Sequence, residues 1–254
     1  TMTESGQAIY VSGLNVSFGA FSVLKNLSWL VNFGEVKGVI GPNGAGKTTL
    51  LDALTGKTEY QSGDIFVRGR HNIKDANEPV IARLGLGRKF QKPSIFSGLS
   101  VFENLEIALR SGKAILQSIN QLTSHEEEKI NETAILIGLS DCLGKDAGTL
   151  AHGQKQWLEI GMLIVANPAV LLLDEPVAGM NGEERIKTAA LIDKLKGPEM
   201  AIVVVEHDMQ FVETVCDSVT VLHDGQILVE GPMQDVKENQ QVIDVYLGRD
   251  SENA

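Results

Sequence analysis

Residues 41–48 read Gly41-Pro42-Asn43-Gly44-Ala45-Gly46-Lys47-Thr48, with Thr49 beyond them. The spacing is Gly-x-x-x-x-Gly-Lys-Ser/Thr, that of a loop able to cradle phosphate. Glycines so placed let backbone N–H groups close around phosphate oxygens at a helix N-terminus. The Lys47 ammonium then neutralises the β and γ oxygens of a nucleotide, and the Thr48 hydroxyl is available to Mg²⁺. A second stretch, Val170-Leu171-Leu172-Leu173-Asp174-Glu175, is an apolar run closing on two acids. Asp174 suits holding Mg²⁺ through water, and Glu175 suits polarising an attacking water as general base. A third run, Ala201 to Val205, ends in Glu206-His207, which brings an imidazole to sense a γ-phosphate. Gln91 adds an amide able to reach both Mg²⁺ and water. Taken singly, these segments also fit a glycine turn before a helix, a solvated strand end and a structural histidine.

Chemistry of this kind needs the three segments at one edge of a parallel sheet, where ligands of open α/β sheets bind. The elements supply that edge. Ile9 to Phe18, Val23 to Val31 and Val36 to Ile40 read as strands, and Lys47 to Leu54 as a helix with Gly56 at its C-terminal cap. Asp64 to Arg68 and Leu86 to Phe90 are expected strands. From about Lys92 to Ala166 the pattern turns helical, with Val101 to Arg110 as one helix and Ser124-x-x-Glu127 as a capping box. Strand signals return at Val170 to Leu173 and Ala201 to Val205 around a helical Glu183 to Leu195, the alternation of a doubly wound sheet. Ser218 to Glu230 reads as a hairpin about Asp224-Gly225, and Val236 to Leu247 as a closing helix.

The chain has 254 residues, 43% of them hydrophobic and 22% charged, a composition suited to one α/β domain with an inserted lobe. The apolar runs fall far short of the ~20 residues a membrane-spanning helix needs. The start, TMTESGQAIYVSG, lacks the pattern of a secretory signal, so a cytoplasmic location is expected. Cys142 and Cys216, the only two cysteines, read as reduced core thiols. A net charge of -11 opposes nucleic acid as a partner, because phosphate backbones are held mainly by Lys and Arg.

Residues 150–164, LAHGQKQWLEIGMLI, put a glycine and a glutamine at the start of a helix. With this segment the chain resembles the nucleotide-binding subunits of ABC transporters, whose LSGGQ signature corresponds to Leu150, Ala151, His152, Gly153 and Gln154. The phosphate loop, Gln91, the signature, the acid strand, the Ala178-Gly179-Met180-Asn181 loop and His207 follow the family's order over essentially the full length. The resemblance implies a P-loop NTPase fold of the α/β class: an ABC-type ATPase core with an antiparallel β subdomain and an inserted helical subdomain. The whole of 1–254 would be one such domain, with 1–91 and 167–254 as core and about 92–166 as helical subdomain. It further implies ATP and Mg²⁺ as cofactors and Phe18 as the aromatic that stacks on adenine. Ala151, His152, Gly153 and Gln154 would contact a partner's ATP in a head-to-tail dimer.

The implied partners are transmembrane permease subunits, a second and homologous ATPase subunit, and indirectly an extracytoplasmic solute-binding protein, with this chain peripheral on the cytoplasmic face of the membrane. RKFQKPSIF, HGQKQWLEIGM and DEPVAGM resemble most the urea-type branch of the branched-chain amino-acid importers, which implies urea as solute, with a branched-chain amino acid or amide as the alternative. A soluble ABC-type ATPase acting on nucleic acid, and a small-molecule kinase using the same loop, are the competing classes. Acidity opposes the first, and the second leaves residues 150–154 unexplained. Two departures stand out. Ala151 lacks the signature serine's hydroxyl and His152 replaces a glycine, so Ala151→Ser is expected to raise turnover. Asn181 stands where many relatives carry aspartate.

Overall fold

The computed structural model describes residues 6–89, 94–111 and 122–247. Two sheets share the work. The first is antiparallel, in the order β2-β1-β4-β5, built from β1 (Gln7–Phe18), β2 (Phe21–Asn32), β4 (Ser62–Val67) and β5 (His71–Asn72). In β2 the buried residues Leu24, Leu27, Trp29 and Val31 are separated by more exposed ones, the alternation of a strand with one face on a core.

The second sheet runs β10-β9-β3-β8-β7-β6, from β3 (Val36–Ile40), β6 (Leu86–Lys89), β7 (Val170–Asp174), β8 (Ala201–Val205), β9 (Ser218–His223) and β10 (Gln226–Gly231). Strands β6 to β9 pair in parallel through β3, and β10 closes the edge antiparallel to β9. Strands β3, β7 and β8 are buried along their whole length, as strands covered on both faces must be. Their side chains divide by period two. Val39, Leu172, Val203 and Val205 join the cluster shared with the antiparallel sheet and helix α1 (Lys47–Leu54). Leu171, Leu173, Ile202 and Val204 join the cluster under the helices of the opposite face.

Those helices are α3 (Val101–Arg110), α4 (Ser124–Leu136), α5 (His152–Val165) and α6 (Gly182–Leu195), whereas α2 (Glu78–Arg83) precedes β6. Helix α7 (Met209–Val215) lies so close to β3 that a Cβ on Gly38 would stand 3.1 Å from both Cys216 Sγ and Val212 Cγ1. Among the described residues no helix is long and apolar enough to cross a membrane.

Several expectations change in detail. The capping box of α4 belongs to Thr123 and Glu126, one residue earlier than Ser124 and Glu127. Acids at 126 and 127 satisfy the spacing from either residue, and Thr123 is the one in extended backbone (φ -77, ψ 154). The closing helix is two, α8 (Met233–Glu238) and α9 (Gln240–Leu247). Asn239 breaks the run, its side chain accepting from Gln241 N at 2.9 Å, the local bond by which asparagine starts a new helix. Helix α2, which the sequence reading passed over, is opened by Asn77 accepting from Val80 N and by a proline in its first turn. Strand β6 ends at Lys89, and both Phe90 and Gln91 lie outside the described residues.

Candidate active site

Strand β3 delivers the chain into a loop whose shape depends on missing side chains. Gly41 has φ 149, and a Cβ there would stand 2.1 Å from the Leu222 carbonyl oxygen of β9. Gly46 has φ 103, and its Cβ would meet Leu24 Cδ2 of β2 at 2.6 Å. The Asp224-Gly225 turn braces the loop from behind. Gly225 N donates to the Ala45 carbonyl at 3.2 Å, and Gly225 O accepts from Lys25 N at 2.9 Å. The loop is thus wedged between the antiparallel sheet and the β9–β10 turn, a support that the loop's own spacing does not reveal.

Helix α1 starts at Lys47, whose ammonium is buried and donates to the carbonyls of Gly41 (2.6 Å) and Pro42 (3.0 Å). A cavity of about 290 Å³ opens in front of it. Asn43 to Thr49 form its floor, Phe21 and Val23 one wall, and Asp174, Glu175, Val205 and His207 the other. Three segments distant in sequence therefore meet at one sheet edge, as ligand binding by an open α/β sheet requires.

Asp174, at the end of β7, is almost wholly buried, and Arg88 of β6 donates to its Oδ2 at 3.2 Å. Arg88 also donates to Asp52 Oδ1 of α1 at 2.5 Å, so one guanidinium ties the helix after the phosphate loop to the acid strand. Burial pushes the Asp174 carboxyl above the usual aspartate range, and Arg88 opposes the shift. Its Oδ1 is buried and has no hydrogen-bond partner among the described residues. An orphaned carboxylate oxygen on a residue that lines the same cavity as Thr48 fits Mg²⁺, which takes one or two protein oxygens and completes its shell with phosphate and water.

Glu175 has left-handed backbone (φ 48), a conformation that costs a non-glycine residue of the order of 1–3 kcal/mol and persists only where neighbours enforce it. Its N–H donates to Val205 O at 2.9 Å, and its carbonyl accepts from Ala178 N at 3.2 Å. That twist brings Glu175 Oε1 to 3.2 Å from His207 Nε2. Behind them Glu206 is buried and accepts from the N–H groups of Val177 (3.1 Å) and His207 (3.0 Å). Burial raises its carboxyl above the ordinary range against those bonds. Lys89 is fully buried at 3.8 Å from Glu159 Oε2. Burial lowers its ammonium's pKa, opposed by the charges of Glu159, Asp174, Glu206 and Glu175. Sequence reasoning passed over Arg88, Lys89 and Glu206 as site residues. The signal available was charge at the ends of two otherwise apolar strands.

Phe18 is exposed at the end of β1, opposite Phe21 in the ladder, and Phe21 is the one that lines the cavity. Ala151, His152, Gly153 and Gln154 lie at the start of α5 and do not line it. Ala151 occupies the N-cap without a side-chain bond, and Gln154 Oε1 accepts from its N–H at 3.0 Å. Gly153 is packed against Glu184, whose Oε1 would lie 2.4 Å from a Cβ. Asn181 caps α6, accepting from Glu184 N at 3.0 Å.

The sequence profile described as ABC transporter matches residues 24–178. The high-affinity branched-chain amino acid transport ATP-binding protein LivG of Salmonella typhimurium is 34% identical over 247 residues, covering 94% of this chain and 96% of that protein. BraF of Pseudomonas aeruginosa, carrying the same description, is 33% identical over 251 residues, with the same coverage of each. The crystal structure of the ADP conformation of MJ1267, an ATP-binding cassette of an ABC transporter, superposes with a TM-score of 0.84 at 26% identity, over 95% of this chain and 99% of that one. Motifs, sheet order and full-length likeness agree, and the chain belongs to the ABC transporter family as an ATP-binding, ATP-hydrolysing member.

Proposed function

We propose that this chain is the motor subunit of an importer, coupling ATP hydrolysis to solute uptake through membrane permease subunits. The observation that carries the reading is the meeting of Lys47, Asp174, Glu175 and His207 around one cavity that no signature residue of the same chain lines. Such a cavity is half of a site. The free N–H groups and positive dipole end at the start of α5 suit the γ-phosphate of a nucleotide held by a second ATPase subunit. The working unit is therefore a head-to-tail pair, and the resemblance favours a homologous partner over a second copy. Residues 1–91 and 167–254 form the nucleotide-binding core with its β subdomain, and about 92–166 the helical subdomain.

In this reading Asn43 to Thr49 give the phosphates their backbone donors, and Lys47 exchanges its carbonyl partners for β and γ oxygens. Thr48 directly and Asp174 through water, with Gln91, would hold Mg²⁺, and the ion would supply neutralisation of the charge developing on the phosphates. Glu175 takes the proton of the water that attacks the γ-phosphorus as the bond to ADP breaks. His207 holds the Glu175 carboxylate and faces the γ-phosphate. The adenine stacks on the aromatic pair at the end of the β1–β2 hairpin, Phe18 and Phe21.

Within the family we assign urea as solute, on the likeness of RKFQKPSIF, HGQKQWLEIGM and DEPVAGM to the urea-type branch. A branched-chain amino acid is the second reading, favoured by the descriptions of LivG and BraF. The test is a purified complex of this chain with its permease subunits, partner ATPase and solute-binding protein in vesicles, assayed for ATP-driven uptake of labelled urea and leucine. Urea uptake with urea-stimulated ATPase supports the assignment. Leucine-stimulated ATPase indifferent to urea overturns the solute, and turnover indifferent to any solute overturns the transport reading.

A further inference from the structure

The histidine that interrupts the signature reaches back into its own chain. His152 Nε2 lies 3.1 Å from the carbonyl oxygen of Ala178, in the loop that follows the acid pair. The ring rests against bare backbone. Gly179 has φ 73, and a Cβ there would stand 3.1 Å from His152 Nε2. One turn along α5, the buried Gln156 amide comes within 3.3 Å of the same nitrogen. A ring nitrogen carries either a proton or a lone pair. Facing a carbonyl oxygen at the shorter distance, Nε2 carries the proton. The amide atom placed at 3.3 Å is Gln156 Nε2, and exchanging the two ends of that amide would set its oxygen, otherwise buried without a hydrogen-bond partner among the described residues, against the ring N–H.

The loop is short and internally hydrogen-bonded, with Met180 N donating to the Val177 carbonyl. Ala178 N donates to the Glu175 carbonyl, so two consecutive hydrogen bonds, from the His152 ring to Ala178 O and from Ala178 N to Glu175 O, join the start of α5 to the backbone of the general base. A second strut runs alongside. Trp157 Nε1 of α5 donates to Thr188 Oγ1 of α6 at 2.9 Å, and that hydroxyl lies 3.2 Å from Met180 Sδ. Among the described residues, a glycine at position 152 would leave this outer strut as the hydrogen-bonded link between α5 and the loop.

We propose that His152 is a positioning residue for hydrolysis: its imidazole braces the loop from Glu175 to Met180, so the helix start that completes the partner's ATP site also sets this chain's own general base. The inference rests on the head-to-tail pairing proposed above. It gives the departure from glycine a use within the chain that carries it, in place of a direct contact with the partner's phosphate.

The test compares His152→Gly, His152→Gln and His152→Phe in the assembled transporter. A single neutral hydrogen bond acting on the orientation of the base gives a loss of about fivefold in kcat for the glycine variant, with KM for ATP changed less than about twofold. Glutamine, which keeps a donor to Ala178 O, restores at least half of the loss, and phenylalanine, which keeps the ring without the donor, does not. Wild-type kcat in the glycine variant overturns the proposal, as does rescue by phenylalanine equal to that by glutamine. A second measurement needs no variant. In the full chain carrying ¹⁵N-labelled histidine at alkaline pH, the His152 ring shows the Nε2–H tautomer, and an Nδ1–H tautomer overturns the proposal. Failure of the wild-type chain to pair with its partner ATPase in ATP overturns the head-to-tail reading instead, while the tautomer still decides the ring contact.

Discussion

Replacing Arg88 by methionine removes the guanidinium that joins Asp52 to Asp174 and leaves the shape of the side chain nearly intact. The side chains of Arg88 and Asp174 are 4% and 2% exposed, whereas that of Asp52 is 19% exposed, so Asp52 can rehydrate and Asp174 cannot. Breaking one partner of a buried ion pair typically costs about 3–5 kcal/mol. Because the orphaned acid can relieve itself by taking a proton, the lower end, about 3 kcal/mol at neutral pH, is expected. For a chain of this size that lowers Tm by roughly 6–12 °C.

The pH dependence has a definite sign. Burial already holds the Asp174 carboxyl above its ordinary value, and Arg88 is the main group pulling it down. Without Arg88 the folded-state pKa rises further above the unfolded one, so the native state binds the proton more tightly. The variant's deficit therefore shrinks as pH falls through the raised pKa and grows as pH returns to neutral. Urea unfolding of wild type and Arg88→Met at neutral and mildly acidic pH reads both quantities. A deficit under about 1 kcal/mol at neutral pH, or one that deepens on acidification, refutes the reasoning.

Three further outcomes follow from the geometry. Glu175→Gln keeps nucleotide binding and loses at least about 10²-fold in turnover, read as ATP retained on the assembled pair against phosphate released. Gly41→Ala sets a Cβ 2.1 Å from Leu222 O and abolishes ATP binding by displacing the phosphate loop from β9, measured by fluorescent-nucleotide titration. Ala151→Ser gives α5 the N-cap acceptor it lacks and raises stability by about 1 kcal/mol in the isolated chain. Any gain in turnover appears only in the complex, so equal unfolding curves for the two isolated proteins argue against this account of the cap.

Much of the candidate site was legible because its residues are local in sequence. The phosphate loop could be read from three glycines, a lysine and a threonine between an apolar strand and a helix, and α1 falls at Lys47–Leu54 as expected. Strands β7 and β8, buried on both faces, wrote themselves as continuous Val, Ile and Leu runs. What escaped depends on neighbours far apart in sequence. Arg88 looks like an interruption at the end of a short strand until Asp52 and Asp174 arrive on either side. Phe21 and Phe18 have the same character in sequence, and only the tertiary fold shows that Phe21 lines the cavity. The His152 ring could be read as covering its helix end, but not as bonded to Ala178, 26 residues on. Glycine at 225 signalled a turn, while its role as a brace for Ala45 required the tertiary fold.

The phosphate loop's dependence on that turn bears on when the protein becomes competent as it is made. Strand β3, which leads into the loop, is flanked by β8 and β9, and the atoms filling the spaces beside Gly41 and Gly225 belong to Leu222 and Val23. A nascent chain that has emerged only through the acid strand holds every residue of the loop yet lacks both neighbours of β3 and the carbonyl that shapes Gly41. Nucleotide affinity is thus acquired late in synthesis, once the β9–β10 hairpin has folded back onto residues made some 180 positions earlier. Until then ATP cannot act as a template for folding, and afterwards it stabilises the completed chain by mass action.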